Sequence, residues 1–152
     1  MSREVALATH LVGSLCFKVF EVPESDANLQ ALKTATETAH SSQRGASGWT
    51  FFTALLREVS GSKQFALLSE IDNIAVGYLT GSIIGTRCII TSLYVEEKCR
   101  SLGIGALLLA CAQQFEANTN ETLVCVLPGQ RELKNLCEQA GLPAQLIFAG
   151  TP

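Results

Sequence analysis

A chain of 152 residues with 47% hydrophobic and 16% charged residues can bury a core of its own, and this composition excludes an intrinsically disordered segment. The length leaves no room for a second domain, so we expect one domain over residues 1–152. A formal net charge of -3, with dispersed Lys and Arg, provides neither a basic stripe for nucleic acid nor a polybasic anchor for a membrane.

The N-terminal segment from Val5 to Cys16 is short and apolar, like the core of a signal peptide, but Glu4 and His10 argue against that interpretation. No run in the chain approaches the roughly 18 apolar residues that span a bilayer. The sequence therefore predicts a cytoplasmic protein.

The next part of the chain predicts one strand and two helices. Leu15 to Glu21 has the composition of a strand, and either Ser25 or Asp26 can cap the helix that follows it. A second helix is expected around Trp49 to Val59 because apolar residues recur there at helical spacing.

A β-hairpin and an alternation of strands and helices complete the predicted order βααβββαβα. Asp72-Asn73 suits the tight turn between the two hairpin strands. The predicted elements are strands Gln64 to Ile71 and Ile74 to Ser82, a strand ending at Val95, a helix from Gly103 to about Ala117, a strand from Thr122 to Leu127, and a helix from Gln130 to Ala140.

The cysteines have scattered spacings and no C-x-x-C pair, and His10 and His40 lie far from any cysteine pair. We therefore expect buried thiols rather than disulfides, and no metal site. The six residues are Cys16, Cys88, Cys99, Cys111, Cys125 and Cys137.

The strand that ends at Val95 leads through a glycine-containing turn directly into an apolar helix. Gly103 and Gly105 keep bulky side chains away from the turn, and Leu107 and Leu108 begin the apolar stripe of the helix. Free N–H groups and the positive end of the helix dipole then face the turn. This arrangement predicts a site for a pyrophosphate.

The same stretch carries a longer pattern. Leu93-Tyr94-Val95, then four residues, then Arg100-x-x-Gly103-Ile104-Gly105 resembles the acetyl-CoA-binding motif V-x-x-x-x-R-x-x-G-x-G of the GNAT superfamily of N-acetyltransferases. Upstream, Leu67 to Gly81 is similar to the central hairpin of the family. Downstream, Val126 to Leu142 is similar to its second motif, V-x-x-x-N-x-x-A-x-x-L-Y-E-K-x-G-F. The resemblance covers roughly residues 15 to 142.

The resemblance implies an α/β (α+β) fold, with a central mixed sheet flanked by about four helices. In it, the strand ending at Val95 and the strand Thr122 to Leu127 splay apart to hold the pantetheine arm of acetyl-CoA. The main chain would bind the pantetheine and the pyrophosphate, Arg100 would add charge, and Gln130 would offer its amide in place of the family's Asn. The implied cofactor-binding residues are Leu93, Val95, Arg100, Ser101, Leu102, Gly103, Ile104, Gly105, Ala106 and Gln130.

The resemblance also implies catalytic positions. A backbone N–H near Leu93 would stabilise the oxygen that gains charge on the thioester. Cys137 stands where the family commonly has the Tyr that protonates the departing thiolate. A thiol can donate that proton, but the position also suits the apolar face of its helix, and the buried interpretation is favoured. Tyr94 is the second catalytic candidate, although an aromatic residue on a strand is usually core.

The general base of the family has no clear counterpart. The nearest carboxylates in the sequence are Glu70, Asp72, Glu96 and Glu97, and we interpret each as a solvated turn residue.

After Leu142, only Ala144 to Ala149 can form a strand, where the family usually adds a hairpin of two. An open sheet edge would result, so we expect a homodimer in which Leu146-Ile147-Phe148 of each partner covers it. The segment Val5 to Leu15 is the competing cover, and it would leave the protein monomeric.

The predicted function is transfer of an acetyl group from acetyl-CoA to a small-molecule or peptide amine, by direct attack in a ternary complex. A non-catalytic acyl-CoA-binding or regulatory module is the alternative, and the missing Tyr and Glu favour it. A protein-interaction domain without a ligand comes last, because it would explain Gly103 and Gly105 by turn geometry alone.

Overall fold

The structure is a computed structural model that describes residues 6–41, 55, 57–115, 121–126, 131–139 and 146–147. The strands are β1 (Ala8–Val12), β2 (Leu15–Val22), β3 (Lys63–Ile71), β4 (Ile74–Ile84), β5 (Arg87–Val95), β6 (Glu121–Val126) and β7 (Leu146–Ile147). The helices are α1 (Ala27–Ser41), α2 (Ile104–Gln113) and α3 (Arg131–Gln139), with a 3-10 turn at Glu97–Cys99.

The described strands form one mixed sheet in the order β1-β2-β3-β4-β5-β6-β7. Neighbours from β1 to β5 are antiparallel, whereas β6 lies parallel to both β5 and β7. A mixed sheet is what the resemblance to the GNAT superfamily implies.

The helix count differs from the prediction of about four. The described part of the chain holds three α-helices. Most of the predicted helix at Trp49 to Val59 lies outside the described residues, and within it Leu55, Arg57 and Glu58 have helical backbone.

Two hairpins depend on residues that tolerate a left-handed backbone. Asp72 and Asn73, between β3 and β4, have φ values of 50° and 67°, which is the pattern of a two-residue type I′ turn. Gly13, with φ of 61°, lies between β1 and β2. The strand β1 was not predicted from the sequence, and the two residues Gly13-Ser14 between two β-prone runs are the signal that could have revealed it.

Helices cover both faces of the sheet. The helix α1 begins at an Asp26 cap, because Asp26 Oδ1 accepts hydrogen bonds from the N–H groups of Asn28 at 2.9 Å and Leu29 at 3.1 Å. Leu29 is fully buried against Phe20, Leu68 and Tyr78 on one face of the sheet. The opposite face packs against α2 and α3, in a larger cluster that includes Phe17, Leu67, Leu79, Ile90, Leu108 and Cys137. We call these two faces the α1 side and the α2 side.

The pairing between β5 and β6 ends halfway along β5. Their parallel pairing runs from Arg87 with Glu121 to Ile90 with Val124 and extends no further. Thr91 follows as an extra residue, because Gly81 of β4 pairs with Ile90 and Thr80 pairs with Ser92. This β-bulge separates the part of β5 that pairs with β6 from the part that pairs only with β4.

Candidate active site

Beyond Ile90 the pairing between β5 and β6 stops, and we consider this gap as the candidate entry for a ligand. From Ser92 to Val95 the strand β5 pairs with β4 on one side, while β6 continues alongside β7. Alternate residues of such a stretch direct their N–H and C=O groups away from β4 and toward the gap. Leu93 and Val95, the residues predicted to bond the pantetheine, both lie on this stretch.

A cluster of hydroxyl groups accompanies the bulge at the mouth of the gap. Thr80 Oγ1 lies 3.0 Å from Thr91 Oγ1 and also bonds the Ser92 hydroxyl, and Thr91 Oγ1 donates to the Thr80 carbonyl at 3.2 Å. These bonds fix the extra residue in place against β4.

The predicted phosphate turn lies at the N-terminus of α2. The first hydrogen bond of this helix runs from the Leu107 N–H to the Gly103 carbonyl at 3.0 Å. The N–H groups of Ile104, Gly105 and Ala106 precede it, and Gly103 supplies no side chain to cap them. Three N–H groups and the positive end of the helix dipole therefore meet at this point.

The two glycines of the turn are required for different reasons. Gly103 has φ of 89°, a left-handed conformation that a side chain would strain. Gly105 is helical, but a Cβ there would lie 2.7 Å from Leu136 Cδ2 on α3. Ser101 also adopts a left-handed backbone, with φ of 73°. Ile104 is buried in the core, so only its backbone can contribute to the turn.

The Arg100 side chain bends back toward the end of β5. Its Nε donates to the Val95 carbonyl at 2.9 Å, and its guanidinium carbon lies 5.7 Å from the centre of the Tyr94 ring. The structure thus brings Arg100 beside two other predicted site residues. Its main-chain partner is the carbonyl of a residue predicted to bond the pantetheine.

Tyr94 lies on the α1 side, where its ring centre is 6.0 Å from that of Tyr78. Tyr78 is buried, whereas Tyr94 is half-buried and packs at the margin of the smaller cluster. The hydroxyl-bearing ring of Tyr94 is therefore held at the end of β5 that borders the gap.

Cys137 is fully buried in the larger core cluster, on α3. Burial, and secondarily the charge of Glu138, raise the pKa of the Cys137 thiol to about 11. Cys88 is also buried, and Cys16, Cys99 and Cys111 are partly buried thiols. The expected burial is therefore found for Cys88 and Cys137 and only in part for the other three, and Cys125 has no described side chain.

The interpretation of Glu70 as a solvated turn residue is wrong. It lies on β3 with 5% of its surface exposed, on the α1 side, and the Asn28 side-chain amide lies 3.5 Å from its Oε2. The register of the β3–β4 pairing shifts between Ser69 and Glu70, and Glu70 pairs with Ala75, which packs against the smaller cluster on the α1 side. Glu96 and Glu97 are exposed, as expected, and so is Asp72 in its turn.

One predicted cofactor-binding residue, Gln130, lies outside the residues that the structure describes. Within the described residues, no group of three or more His, Cys, Asp or Glu side chains could hold a metal ion. None of the described helices is both long and apolar enough to cross a membrane.

The geometry fits acetyl-CoA. The edge of β5 beyond Ile90 would offer its N–H and C=O groups to an extended pantetheine arm, and the N-terminus of α2, free of Cβ atoms at Gly103 and Gly105, would cradle the pyrophosphate. His10 also contributes to this region, because its Nε2 would lie 3.1 Å from a Cβ on Gly103. His10 was not predicted as a site residue, and its place depends on the unpredicted strand β1.

Solved structures with a similar fold include acetyltransferases. An aminoglycoside acetyltransferase from an uncultured soil metagenomic sample, in complex with trehalose, has a TM-score of 0.61 at 17% identity, over 82% of this chain and 86% of that one. The aminoglycoside N-acetyltransferase AAC(6')-Iy in complex with CoA has a TM-score of 0.63 at 12% identity, over 87% and 91% of the two chains. A tandem GNAT protein from the clavulanic acid biosynthesis pathway has a TM-score of 0.62 at 16% identity, over 82% of this chain and 43% of that one.

The sequence itself matches one family model. No curated protein sequence matches the chain significantly. The model of the acetyltransferase (GNAT) family matches residues 29–141, which is most of the chain and includes the gap, the turn and α3. The chain therefore belongs to the acetyltransferase (GNAT) family of N-acetyltransferases.

Proposed function

We propose that this protein transfers the acetyl group of acetyl-CoA to a primary amine, by direct attack in a ternary complex. The observation that supports this most is the gap between β5 and β6, because it opens immediately after the last β5–β6 pair and beside the N-terminus of α2.

The main chain would perform the binding. The N–H groups from Ser101 to Ala106 would hold the pyrophosphate, and the backbone of Leu93 and Val95 would bond the pantetheine as a neighbouring strand does. Acetyl-CoA supplies an acetyl group activated as a thioester. A β5 N–H near Leu93 would stabilise the charge that develops on the acetyl oxygen.

The acceptor amine would approach from the α1 side. Glu70 is a buried carboxylate on that side, at the same end of the sheet as the gap, two strands from β5. We propose that Glu70 receives a proton from the acceptor ammonium, directly or through water, because an amine attacks only when it is neutral. Tyr94 would border the same approach, next to the guanidinium of Arg100.

The acceptor belongs to the class of small-molecule or peptide amines. Among proteins of similar fold, two are named as aminoglycoside acetyltransferases, and aminoglycosides carry several primary amines. A net charge of -3 on this chain suits a cationic acceptor, although surface loops determine which amine fits.

A non-catalytic acyl-CoA-binding module is the second candidate function. It is favoured by Cys137, since a fully buried thiol with a pKa raised to about 11 is poorly placed to protonate a departing thiolate. Such a module would keep the turn and the gap and bind acetyl-CoA, but it would not transfer the acetyl group, so no free CoA thiol would form.

Two measurements on the full-length protein decide between these functions. Calorimetry with CoA tests binding, and thiol release from acetyl-CoA tests turnover against polyamines, amino acids, aminoglycosides and peptide N-termini. Binding with acceptor-dependent thiol release supports the acetyltransferase, and binding without release from any acceptor supports the module. No binding of CoA rejects both.

The role of Glu70 is tested in the same assay. Glu70→Gln should lower kcat by on the order of tenfold or more with little change in CoA affinity. Glu24→Gln is the matched control, because Glu24 is an exposed carboxylate that pairs with Arg57. Equal kcat for Glu70→Gln and Glu24→Gln would remove Glu70 from the mechanism.

A further inference from the structure

His10 presents the tip of its imidazole to the phosphate turn. A Cβ on Gly103 would lie 3.1 Å from His10 Nε2 and 3.8 Å from both Cδ2 and Cε1. Since the two carbons that flank Nε2 are equally distant, the ring points at Gly103 with Nε2 foremost. A nitrogen that can donate a hydrogen bond therefore faces the position that a side chain on Gly103 would occupy.

The strand β1 holds His10 in this position. His10 pairs with Phe17 of β2, and Phe17 is fully buried on the α2 side, so His10 shares that side of the sheet. The next residue on the same face of β1, Val12, packs against the larger core cluster, whereas Thr9 and Leu11 on the other face are exposed. The imidazole is thus directed toward α2 by strand alternation and packing.

This position lies outside the motif that identifies the family. The family model begins at residue 29, so neither β1 nor His10 is part of it. Within the motif, the contacts of the Arg100 guanidinium include the Val95 carbonyl and the Tyr94 ring, at the end of β5. His10 approaches the turn at Gly103, from β1.

We infer that His10 is a cofactor-binding residue whose Nε2 donates a hydrogen bond to a pyrophosphate oxygen of CoA over Gly103. The inference rests on the proposed function, because it takes the N-terminus of α2 as the pyrophosphate site. An anion seated on the N–H groups of Ile104 to Ala106 lies next to Gly103, and His10 Nε2 is already directed there. Gly103 is then required twice, for its left-handed φ of 89° and for the approach of the imidazole.

Calorimetry with CoA and with 3′-dephospho-CoA tests the inference. His10→Ala should weaken the binding of both ligands equally, by on the order of tenfold, since a hydrogen bond to a charged group is lost. His10→Gln should recover most of the affinity, because its side-chain amide also donates from a similar distance. Thr9→Ala, on the exposed face of the same strand, is the matched control and should bind both ligands as the wild type does.

Phosphorus NMR of bound CoA provides a readout that a purely structural role would not move. The two pyrophosphate resonances should shift between wild type and His10→Ala, and the 3′-phosphate resonance should stay in place. The inference about His10 is overturned if the wild type binds CoA and His10→Ala binds it equally well with unchanged pyrophosphate resonances. That result would leave the proposed function standing. If His10→Ala loses affinity for CoA but not for 3′-dephospho-CoA, the inference is also overturned, because His10 would then contact the 3′-phosphate. Wild-type protein that binds neither ligand refutes the proposed function instead.

Discussion

Gly105 and Leu136 are in such close approach that a Cβ on Gly105 would lie 2.7 Å from Leu136 Cδ2. The contact joins the first turn of α2 to α3, one residue before Cys137. A glycine that the motif associates with phosphate binding therefore also sets how closely α3 approaches α2.

The first prediction concerns this contact. Gly105→Ala should lower the free energy of unfolding by about 1 kcal/mol, because the displacement of Leu136 outweighs the better helix propensity of Ala. In a Leu136→Ala background the same substitution should be neutral or stabilising, since the obstructing methyl group is gone. Urea unfolding of the wild type, the two single variants and the double variant measures the coupling between the two sites. Additive changes in the free energy of unfolding would show that the contact does not affect stability.

The second prediction concerns the phosphate turn. Gly103→Asp and Gly105→Asp should abolish CoA binding in calorimetry, because each places a carboxylate beside the pyrophosphate. Gly85→Asp is the control for Gly103→Asp: Gly85 has a left-handed φ of 61° and open space around its Cβ position, so it imposes similar strain away from the turn. Unchanged affinity in a folded Gly103→Asp protein would refute the assignment of the turn.

The third prediction separates two roles of Cys137. If its thiol protonates the departing thiolate, Cys137→Ala lowers kcat with little change in KM, and Cys137→Tyr preserves or raises kcat. If Cys137 only fills the core, Cys137→Ala lowers stability by about 1 to 2 kcal/mol and leaves kcat unchanged. Steady-state kinetics and urea unfolding on the same preparations distinguish the roles.

The fourth prediction is a loss of stability at alkaline pH. Burial raises the pKa of both Cys88 and Cys137 to about 11, and the Cys88 thiol donates to the Ala112 carbonyl at 3.8 Å. Between pH 9 and 11 these thiols ionise in the unfolded chain and stay protonated in the folded one, so unfolding releases protons. The free energy of unfolding should therefore fall as pH rises through this window, by about 2 to 3 kcal/mol for each thiol.

Urea unfolding at intervals from pH 8 to pH 11 measures this decline. The Cys88→Ala variant should be less stable at pH 8 and should show a shallower decline than the wild type. Parallel pH profiles for the two proteins would contradict the prediction.

The fifth prediction concerns assembly. Among the described strands, β7 is a short edge strand that pairs with β6 on one side. We expect a homodimer in which this segment of each partner covers the open edge of the other. Light scattering at micromolar concentration should show a dimer for the full chain and a monomer for a chain ending at Leu142, and a monomeric full chain would exclude the proposal.

Local chemistry made much of the fold predictable. Asp72-Asn73 predicted its hairpin because both residues tolerate a left-handed backbone. Ser25 and Asp26 together predicted the start of α1, and the structure selects Asp26, whose carboxylate accepts from the first helical N–H groups. The turn before α2 was predictable because glycines, strand and helix are contiguous in the sequence.

Features that depend on distant contacts were not predictable in this way. Buried Glu70 lies beside Asn28 of α1, whose side-chain amide is 3.5 Å from its carboxylate although the two residues are far apart in the sequence. The approach of His10 to Gly103 joins residues from opposite parts of the chain, and the Gly105 contact with Leu136 depends on how two helices pack. Periodicity along one segment carries no information about such pairs.

The bulge at Thr91 has a genetic consequence. With Thr91 absent, Ile90 and Ser92 would become neighbours, and alternation along β5 would be regular from Arg87 to Val95 with the same partners on β4. The strand would then be free to continue alongside β6 and close the gap. If the gap holds the cofactor as proposed, loss of this one residue should abolish cofactor binding, and a single codon would separate a sheet that admits acetyl-CoA from one that excludes it.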